Sequence, residues 1–240
     1  MSPRNPWEGR APARPLSDFS LIKIAAGLIL SVVSSLYAAE PLVLNGDLEK
    51  ADPADATQPL GWDKTDGLGV QWASCPDGPD VPAGPGKNAI RMDTALTEQQ
   101  MVAQWTKVGM TEWIFPKPAG NAIAETYGLS LYSQAMPVEA GRTYRVTVRY
   151  KGSGGAKVWV RGYGVKSEQS DKPKRLYESM GACPAAVDHW GEFTQDFNPT
   201  KHTPKVTTMK VMLFAYYPAG VSWFDNISIV ALPAADEPGK

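Results

Sequence analysis

The sequence predicts an all-β protein, an antiparallel β-sandwich of the jelly-roll kind with a single domain, from two observations. From residue 42 onward, short runs rich in β-branched and aromatic residues alternate with Gly, Pro, Asn and Asp, which is typical of such folds. Within several of these runs, apolar and polar residues also alternate. Successive strand side chains point to opposite faces, so these strands have one buried and one solvated face, as in an antiparallel sandwich sheet.

The strands follow one another with short connections. They are predicted at residues 42–49, 68–73, 88–93, 100–108, 127–138, 143–152, 156–164, 175–180, 190–198, 206–217 and 221–230. No convincing helical period appears after residue 40, so 100–108 is interpreted as a strand, and a brief helix in "TALTEQQMVAQW" is the alternative.

The N-terminal 39 residues predict an exported protein. Residues 24–39 carry no charge, follow a basic leader and end in small residues, as a secretory signal peptide does. We expect cleavage after Ala38 or Ala39 and a secreted or periplasmic location. The alternative is a membrane anchor, but the run is short of the roughly 20 residues that a spanning helix needs. The mature domain is then 42–231, and 232–240 form a disordered tail.

The charge of the chain argues against a nucleic-acid partner. The formal net charge is -1 and no basic block occurs, so the usual signature of nucleic-acid binding is absent from the sequence.

The chain has two cysteines, Cys75 and Cys183. In an exported protein they predict one disulfide, worth about 4–5 kcal/mol by chain entropy, and two buried thiols are the alternative.

One tryptophan lies on the polar face of its strand. In "AKVWVRGY" the apolar parity is Ala, Val, Val and Gly, and the other parity places Trp159 between Lys157 and Arg161. In the neighbouring predicted strands, the residues that alternate onto the polar face include Tyr132, Gln134 and Arg149. If these strands share a sheet, its outer face carries aromatic rings among cations. The alternative is that Trp159 packs beneath the loop at 164–176.

The order of short motifs resembles a known family. The segments are "NGDLE" (45–49), "GW" (61–62), "LSLYSQAMPVEAGRTYRVTVRYKGS" (129–153), "HWGEFTQDF" (189–197) and "VSWFDNISIV" (221–230). In this order they are similar to the carbohydrate-binding modules of families 4, 9 and 22. The resemblance implies a jelly roll that binds glycan chains on a concave sheet and is often fused to glycoside hydrolases.

The resemblance suggests how the polar face would bind sugar. Aromatic rings stack on the C–H faces of sugars, and planar polar side chains bind the hydroxyl rim. Trp62 and Trp190 match core positions of the family, whereas Trp105 and Trp113 lie where ligand loops are expected. The predicted ligand-binding residues are therefore Trp159, Tyr132, Gln134, Arg161, Lys157, Arg149, Trp105 and Trp113.

The resemblance also implies a structural calcium ion. A Glu and an Asp of the family that match Glu49 and Asp225 help to bind it, and Ca²⁺ takes carboxylate and carbonyl oxygens. The alternative is that Asp225 accepts backbone hydrogen bonds at a strand bulge.

Together these features predict an exported, non-catalytic protein that binds polysaccharide. A glycosidase needs two carboxyl groups at a defined separation, and no paired acidic motif or nucleophile motif occurs in the sequence. The alternative from another class is an envelope or matrix β-sandwich that contacts protein or has only a structural role. A hydrolytic jelly roll, with two carboxylates facing each other across the cleft, is the third hypothesis.

Overall fold

The computed structural model describes residues 40–75, 86–115, 117, 119–166 and 172–233. The predicted signal peptide, the middle of the 164–176 loop and nearly all of the predicted tail lie outside these residues. In the part of the chain that is described, no helix is both long and apolar enough to cross a membrane.

Twelve strands and one α-helix make up the described chain. The strands are β1 (Ala51–Asp52), β2 (Asp55–Pro59), β3 (Val70–Ser74), β4 (Asn88–Asp93), β5 (Leu129–Tyr132), β6 (Met136–Pro137), β7 (Tyr144–Gly152), β8 (Ala156–Gly164), β9 (Lys174–Ala182), β10 (Ala186–Phe197), β11 (Thr208–Ala215) and β12 (Val221–Ala231). Helix α1 spans Glu98–Lys107, and a single π-helical turn at Ile123–Tyr127 precedes β5.

Two antiparallel sheets form the sandwich, which confirms the predicted fold class. The first sheet has the strand order β10-β7-β12-β4-β3, and the second has the order β5-β11-β8-β9 with β6 also paired to β11. Strands β1 and β2 form a separate hairpin. At the two edges of the sandwich, β3 lies beside β5 and β10 lies beside β9.

The core lies between the sheets and explains the alternation in the sequence. Along β8 every second residue is buried, from Ala156 to Gly164. Phe224 of β12 is fully buried in the facing sheet. Tyr144 of β7 stacks on Phe197 of β10 with ring centroids 5.7 Å apart. Each fully buried large apolar side chain contributes about 1.5–3 kcal/mol, so the inner faces hold the two sheets together.

The predicted strand at 42–49 is wrong, because this segment forms turns. Asn45 and Leu48 have φ angles of 52° and 56°, in the left-handed region that a strand does not use. The buried Asn45 side chain closes the turn. Its amide donates to the carbonyls of Lys50 (2.9 Å) and Leu60 (3.0 Å), and its oxygen accepts the Lys50 N–H (2.8 Å).

The predicted strand at 100–108 is also wrong, since it is largely helix α1. The side-chain oxygen of Thr97 accepts the Gln100 N–H (3.2 Å), and the Gln100 side chain accepts the Thr97 N–H (3.0 Å). This reciprocal pair is a capping box, whose sequence signature is Ser or Thr followed three residues later by Glu or Gln. Met101 is the buried residue that anchors the helix.

The disulfide predicted between Cys75 and Cys183 is not formed. Cys75 follows β3, at one edge of the sandwich, and Cys183 follows β9, at the opposite edge. These edges are separated by roughly three strand spacings of about 4.8 Å, whereas a disulfide needs Cα atoms within about 7 Å. Burial raises the pKa of the Cys183 thiol to about 12.

Candidate ligand-binding face

The outer face of the second sheet carries a patch of aromatic and cationic side chains. We call it the aromatic–cationic face and define it by Tyr132, Trp159, Arg161, Tyr163 and Lys210. Strand register brings these residues together: Tyr132 and Trp159 both pair with Met212 of β11 from opposite sides, and Arg161 pairs with Lys210. Three strands therefore contribute to one continuous patch.

Arg161 lies at the centre of this face and contacts two aromatic rings. Its guanidinium carbon is 5.3 Å from the Trp159 ring centroid and 5.6 Å from that of Tyr132. Its Nη1 donates to the Tyr132 hydroxyl, and its Nε donates to Glu178 at 2.8 Å. The guanidinium is thus held by cation–π contacts and by hydrogen bonds.

These contacts explain why Trp159 lies on the polar face of β8, between Lys157 and Arg161. The Trp159 ring is half-buried, and its indole nitrogen is buried without a hydrogen-bond partner in the described structure. One role of Trp159 is therefore to support the Arg161 guanidinium. The alternative, that the loop at 164–176 covers Trp159, falls partly on residues outside the described chain.

A hollow of about 440 Å³ lies beside this cluster. It is lined by Asp63, Tyr132, Ala135, Tyr163, Pro173, Thr208 and Lys210. The Lys210 ammonium is 3.9 Å from the Asp63 carboxylate and 6.0 Å from the Tyr132 ring centroid. Burial raises the pKa of Tyr163, so its phenol stays a neutral donor and acceptor. The hollow thus combines aromatic walls with charged and neutral hydrogen-bonding groups, within the size range of small-ligand sites.

A second aromatic–cation contact extends the face toward the far end of β8. The Lys157 ammonium lies 5.0 Å from the ring centroid of Tyr216. Phe214 and Tyr216 stack with their centroids 6.0 Å apart. Lys157 is therefore on the predicted face, though in a separate cluster from Arg161.

Arg149 does not belong to this face, which corrects the sequence prediction. It lies on β7 in the first sheet, where its Nη2 donates to the Trp190 carbonyl at 3.2 Å. Its Nη1 is 3.8 Å from the Glu192 carboxylate. The core of the sandwich separates Arg149 from Trp159, so the two side chains cannot contact the same sugar ring.

The remaining predicted ligand residues differ in their surroundings. Gln134 is exposed just after β5, two residues from Tyr132. Trp105 on α1 packs against the core and joins an aromatic cluster, 5.8 Å from Phe115 and 5.8 Å from Tyr127 between centroids. Trp113 is half-buried in the segment after α1. Neither tryptophan has a ring contact with the aromatic–cationic face among the contacts described.

Sequence reasoning missed several residues of the site. Tyr163 shares the parity of Trp159 along the correctly predicted β8, so alternation alone would have found it. Lys210 alternates with buried residues of β11 in the same way. Asp63 and Pro173 lie outside the strands, and only the folded structure brings them to the hollow.

Glu49, two residues before β1, lies close to Asp225 of β12, and Gly86 lies against both side chains. Asp225 is fully buried, and its carboxylate accepts the Gly86 N–H at 2.9 Å. Glu49 accepts the backbone N–H of Asn88 at 3.0 Å. The pKa of Asp225 is raised to about 7, chiefly by burial and also by the charges of Glu49 and Asp47, although backbone hydrogen bonds from Asn226 and Gly86 lower it.

Asp225 accepts backbone hydrogen bonds at an irregular point of its strand, which is the alternative that the sequence offered to calcium binding. The pairing of β12 with β7 is irregular between Asp225 and Ser228, and Asn226 has a φ of 47°. Within the described ranges, no three His, Cys, Asp or Glu side chains cluster in a way that would hold a metal ion.

Comparison with known proteins gives matches of fold alone. The chain matches no protein-family model and no curated protein. A cyclase from Fischerella sp. TAU is 15% identical with a TM-score of 0.50, and the match covers 82% of this chain and 100% of the cyclase. The CBM22-1 xylan-binding domain of Paenibacillus barcinonensis Xyn10C is 11% identical with a TM-score of 0.44, and covers 82% of this chain and 98% of the domain.

Two larger proteins match over a part of their length. The chain spans 21% of the enzymatically active domain of bacteriophage CBA120 tailspike protein 4, at 12% identity, a TM-score of 0.48 and 80% coverage of this chain. It spans 27% of an arabinose-bound α-L-arabinofuranosidase, at 13% identity, a TM-score of 0.49 and 82% coverage. The likeness to the cyclase, at a TM-score of 0.50 and 15% identity, concerns the fold alone, and one fold can host several functions.

Proposed function

We propose that this protein binds polysaccharide on the aromatic–cationic face and does not cleave it. The observation that carries the proposal is the hollow of about 440 Å³ between Tyr132 and Tyr163, next to the Trp159–Arg161 stack. Aromatic rings that flank polar groups in an open hollow match the two surfaces of a sugar ring, its C–H face and its hydroxyl rim.

Each side chain of the face has a role in sugar binding that follows from its position. Tyr132 and Tyr163 provide ring surface for the sugar, and Lys210 provides hydrogen-bond donors at the wall of the hollow. Trp159 forms the floor beside it and keeps Arg161 in place. Gln134 and Lys157, at the margins of the face, are placed to contact neighbouring sugar units of a chain.

The outer face of the first sheet is less suited to a ligand. Its charged side chains pair with one another: Arg91 lies 2.7 Å from Asp93, and Arg145 lies 2.6 Å from Asp196. A ligand there would have to break these pairs before it gained hydrogen bonds. On the second sheet Arg161 is also paired, with Glu178 at 2.8 Å, but the hollow beside it adds the aromatic surface of Tyr132 and Tyr163. That hollow supports the choice of the second sheet.

The surroundings of Glu178 support binding without hydrolysis. Its carboxylate lies 2.8 Å from Arg161 and 2.9 Å from Arg175. Glycoside hydrolysis requires two carboxyl groups at a defined separation across the substrate, whereas this carboxylate is engaged by two guanidinium groups. Glu178 is therefore a positioning group for the arginines.

We extend the proposal to a structural calcium ion at Glu49 and Asp225. Both side chains offer the hard oxygen ligands that Ca²⁺ prefers, and a bound cation would offset the cost of the buried Asp225 charge. The test is the melting temperature in CaCl₂ and in EDTA, with Asp225→Asn as the control. Calcium should stabilise the wild type alone, and equal curves for both proteins would contradict the site.

Export also remains part of the proposal. The uncharged segment 24–39 supports it, with cleavage after Ala38 or Ala39. N-terminal sequencing of the protein recovered from the periplasm or medium should find a start at residue 39 or 40. Recovery of the chain from the cytoplasm with its leader intact would contradict export.

The binding function is tested by affinity electrophoresis in gels that contain soluble neutral or acidic polysaccharides. Wild-type protein should be retarded by at least one polymer, and Trp159→Ala and Tyr132→Ala should migrate faster in that gel. Trp223→Ala is the matched control, because Trp223 lies on the outer side of the first sheet, opposite Lys151 and Arg91. It should leave retardation unchanged.

Two outcomes would contradict this proposal. If folded wild-type protein is not retarded by any polymer, glycan binding fails and the envelope or matrix role replaces it. If Trp223→Ala abolishes retardation and Trp159→Ala does not, the ligand binds on the first sheet.

A further inference from the structure

Cationic side chains gather at one end of the aromatic–cationic face. The formal net charge of the protein is -1, yet the described residues around this end include Lys166, Lys172, Lys174, Arg175, Lys205 and Lys210. Arg175 pairs with Tyr163, and Lys174 pairs with Gly164. The Lys205 ammonium donates to the Lys166 carbonyl at 3.0 Å, which keeps two of these lysines together.

The acidic groups of the face do not balance these cations. Arg161 and Arg175 share one carboxylate, that of Glu178, at 2.8 Å and 2.9 Å. Lys210 faces Asp63 at 3.9 Å, the long end of an ion-pair distance. Even with Glu168 and Asp171, residues 166–175 carry an excess of positive charge in the sequence. This excess produces a positive potential at the hollow.

From this charge distribution we propose that the polysaccharide is acidic, and that Lys210 binds one of its anionic groups in the hollow. The inference rests on the proposed glycan-binding function and names the ligand class. An anion in the hollow would accept a charge-assisted hydrogen bond from the Lys210 ammonium. The hydroxyls of Tyr163 and Thr208, which line the same hollow, are neutral donors for its remaining oxygens. A neutral chain would leave the excess charge without a partner.

The test compares ligands that differ only in charge. Titration calorimetry of the full chain uses polygalacturonate and the same polymer after full methyl esterification, with a sulfated galactan as a third ligand. We expect the acidic polymer to bind about tenfold more tightly than its ester. We also expect binding to weaken about threefold or more between 0.05 and 0.5 M NaCl because salt screens the charges. Preference for the carboxylate or the sulfate polymer identifies the anionic group.

Three substitutions test whether the preference for the acidic polymer arises in the hollow. Lys210→Gln should weaken binding of the acidic polymer about tenfold, and Asp63→Asn should strengthen it because a competing anion is removed. Lys151→Gln removes the same charge from the other sheet and should have no effect. Equal losses in Lys210→Gln and Lys151→Gln would overturn the role of Lys210.

The outcomes separate this inference from the function beneath it. If the ester or another neutral polymer binds as tightly as the acid, in a way that depends on Trp159, glycan binding stands and the acidic ligand class is wrong. If no polymer of either charge binds the folded protein, the glycan-binding function itself is wrong.

Discussion

The buried side chain of Asn45 should be essential for the turn that replaces the expected first strand. Substitution by Ala removes three hydrogen bonds, two from the amide and one to the oxygen, of 2.8–3.0 Å. At about 1 kcal/mol each, these bonds contribute about 3 kcal/mol. A left-handed backbone with φ of 52° costs a non-Gly residue roughly 1 kcal/mol more. We therefore expect Asn45→Ala to lower the free energy of unfolding by about 4 kcal/mol.

Two further variants separate the causes. Asn45→Gly loses the same hydrogen bonds but tolerates the backbone angle, so its cost should be about 3 kcal/mol. Asn45→Asp keeps the shape of the side chain, yet it directs an oxygen at the carbonyls of Lys50 and Leu60, which now receive donors. We expect it to cost as much as Ala, in spite of its similar volume.

Urea unfolding of the purified protein measures these differences, and a loss of 4 kcal/mol corresponds to a melting temperature about 8–16 °C lower for a protein of this size. Two results would refute the reasoning. One is an Asn45→Asp variant within about 0.5 kcal/mol of wild type, which would mean that the amide donor contributes nothing. The other is a Gly variant less stable than the Ala variant, which would show that the left-handed angle carries no cost.

Three other predictions concern the pH response, the helix and the first sheet. Because the pKa of Asp225 rises from an ordinary 3.8 to about 7, the folded state binds a proton that the unfolded chain lacks between about pH 4 and 7. The contribution of Asp225 to the free energy of unfolding, measured in EDTA, should therefore fall as the pH rises from about 4 to 7. Urea unfolding at pH 5 and pH 8 should show this fall diminished in Asp225→Asn, and an unchanged slope would contradict it. Thr97→Ala should destabilise the protein by about 1 kcal/mol through loss of the capping box, and Thr97→Ser should restore most of it in the same assay. Arg149→Gln should leave retardation by the bound polysaccharide unchanged, whereas reduced retardation would show that the first sheet contributes to the site.

Local patterns in the sequence predicted the strands well where each strand buries one face. The limits of β8 agree with the predicted 156–164, because alternation marks which side chains face the core. Those of β4 agree with the predicted 88–93 although Ala89 and Ile90 are both buried. The errors fall where local hydrogen bonds override that pattern. Asn45 closes a turn with its side chain, and Thr97 caps α1 with Gln100.

The residues that make up the site were harder to predict. Alternation tells which face of its strand a residue occupies, but it does not tell which sheet the strand belongs to. Arg149 and Arg161 have the same polar parity in consecutive strands, yet β7 and β8 belong to different sheets. Their separation depends on long-range pairing, which also brings Lys210 of β11 beside Arg161. The predicted disulfide failed for the same reason, because the two cysteines lie at opposite edges of the sandwich.

The most direct measurement of the central claim is a titration of ¹⁵N-labelled protein with the polysaccharide that retards it. The chain has 8 tryptophans, of which Trp7 lies in the leader proposed to be removed. Each of the others gives one indole N–H signal, and those of Trp159, Trp190 and Trp223 are assigned from their Phe variants. We predict that the ligand shifts the Trp159 signal and leaves those of Trp190 and Trp223 in place, since both belong to the first sheet. A saturating ligand that shifts the Trp223 signal and leaves Trp159 unmoved would contradict the aromatic–cationic face as the binding site.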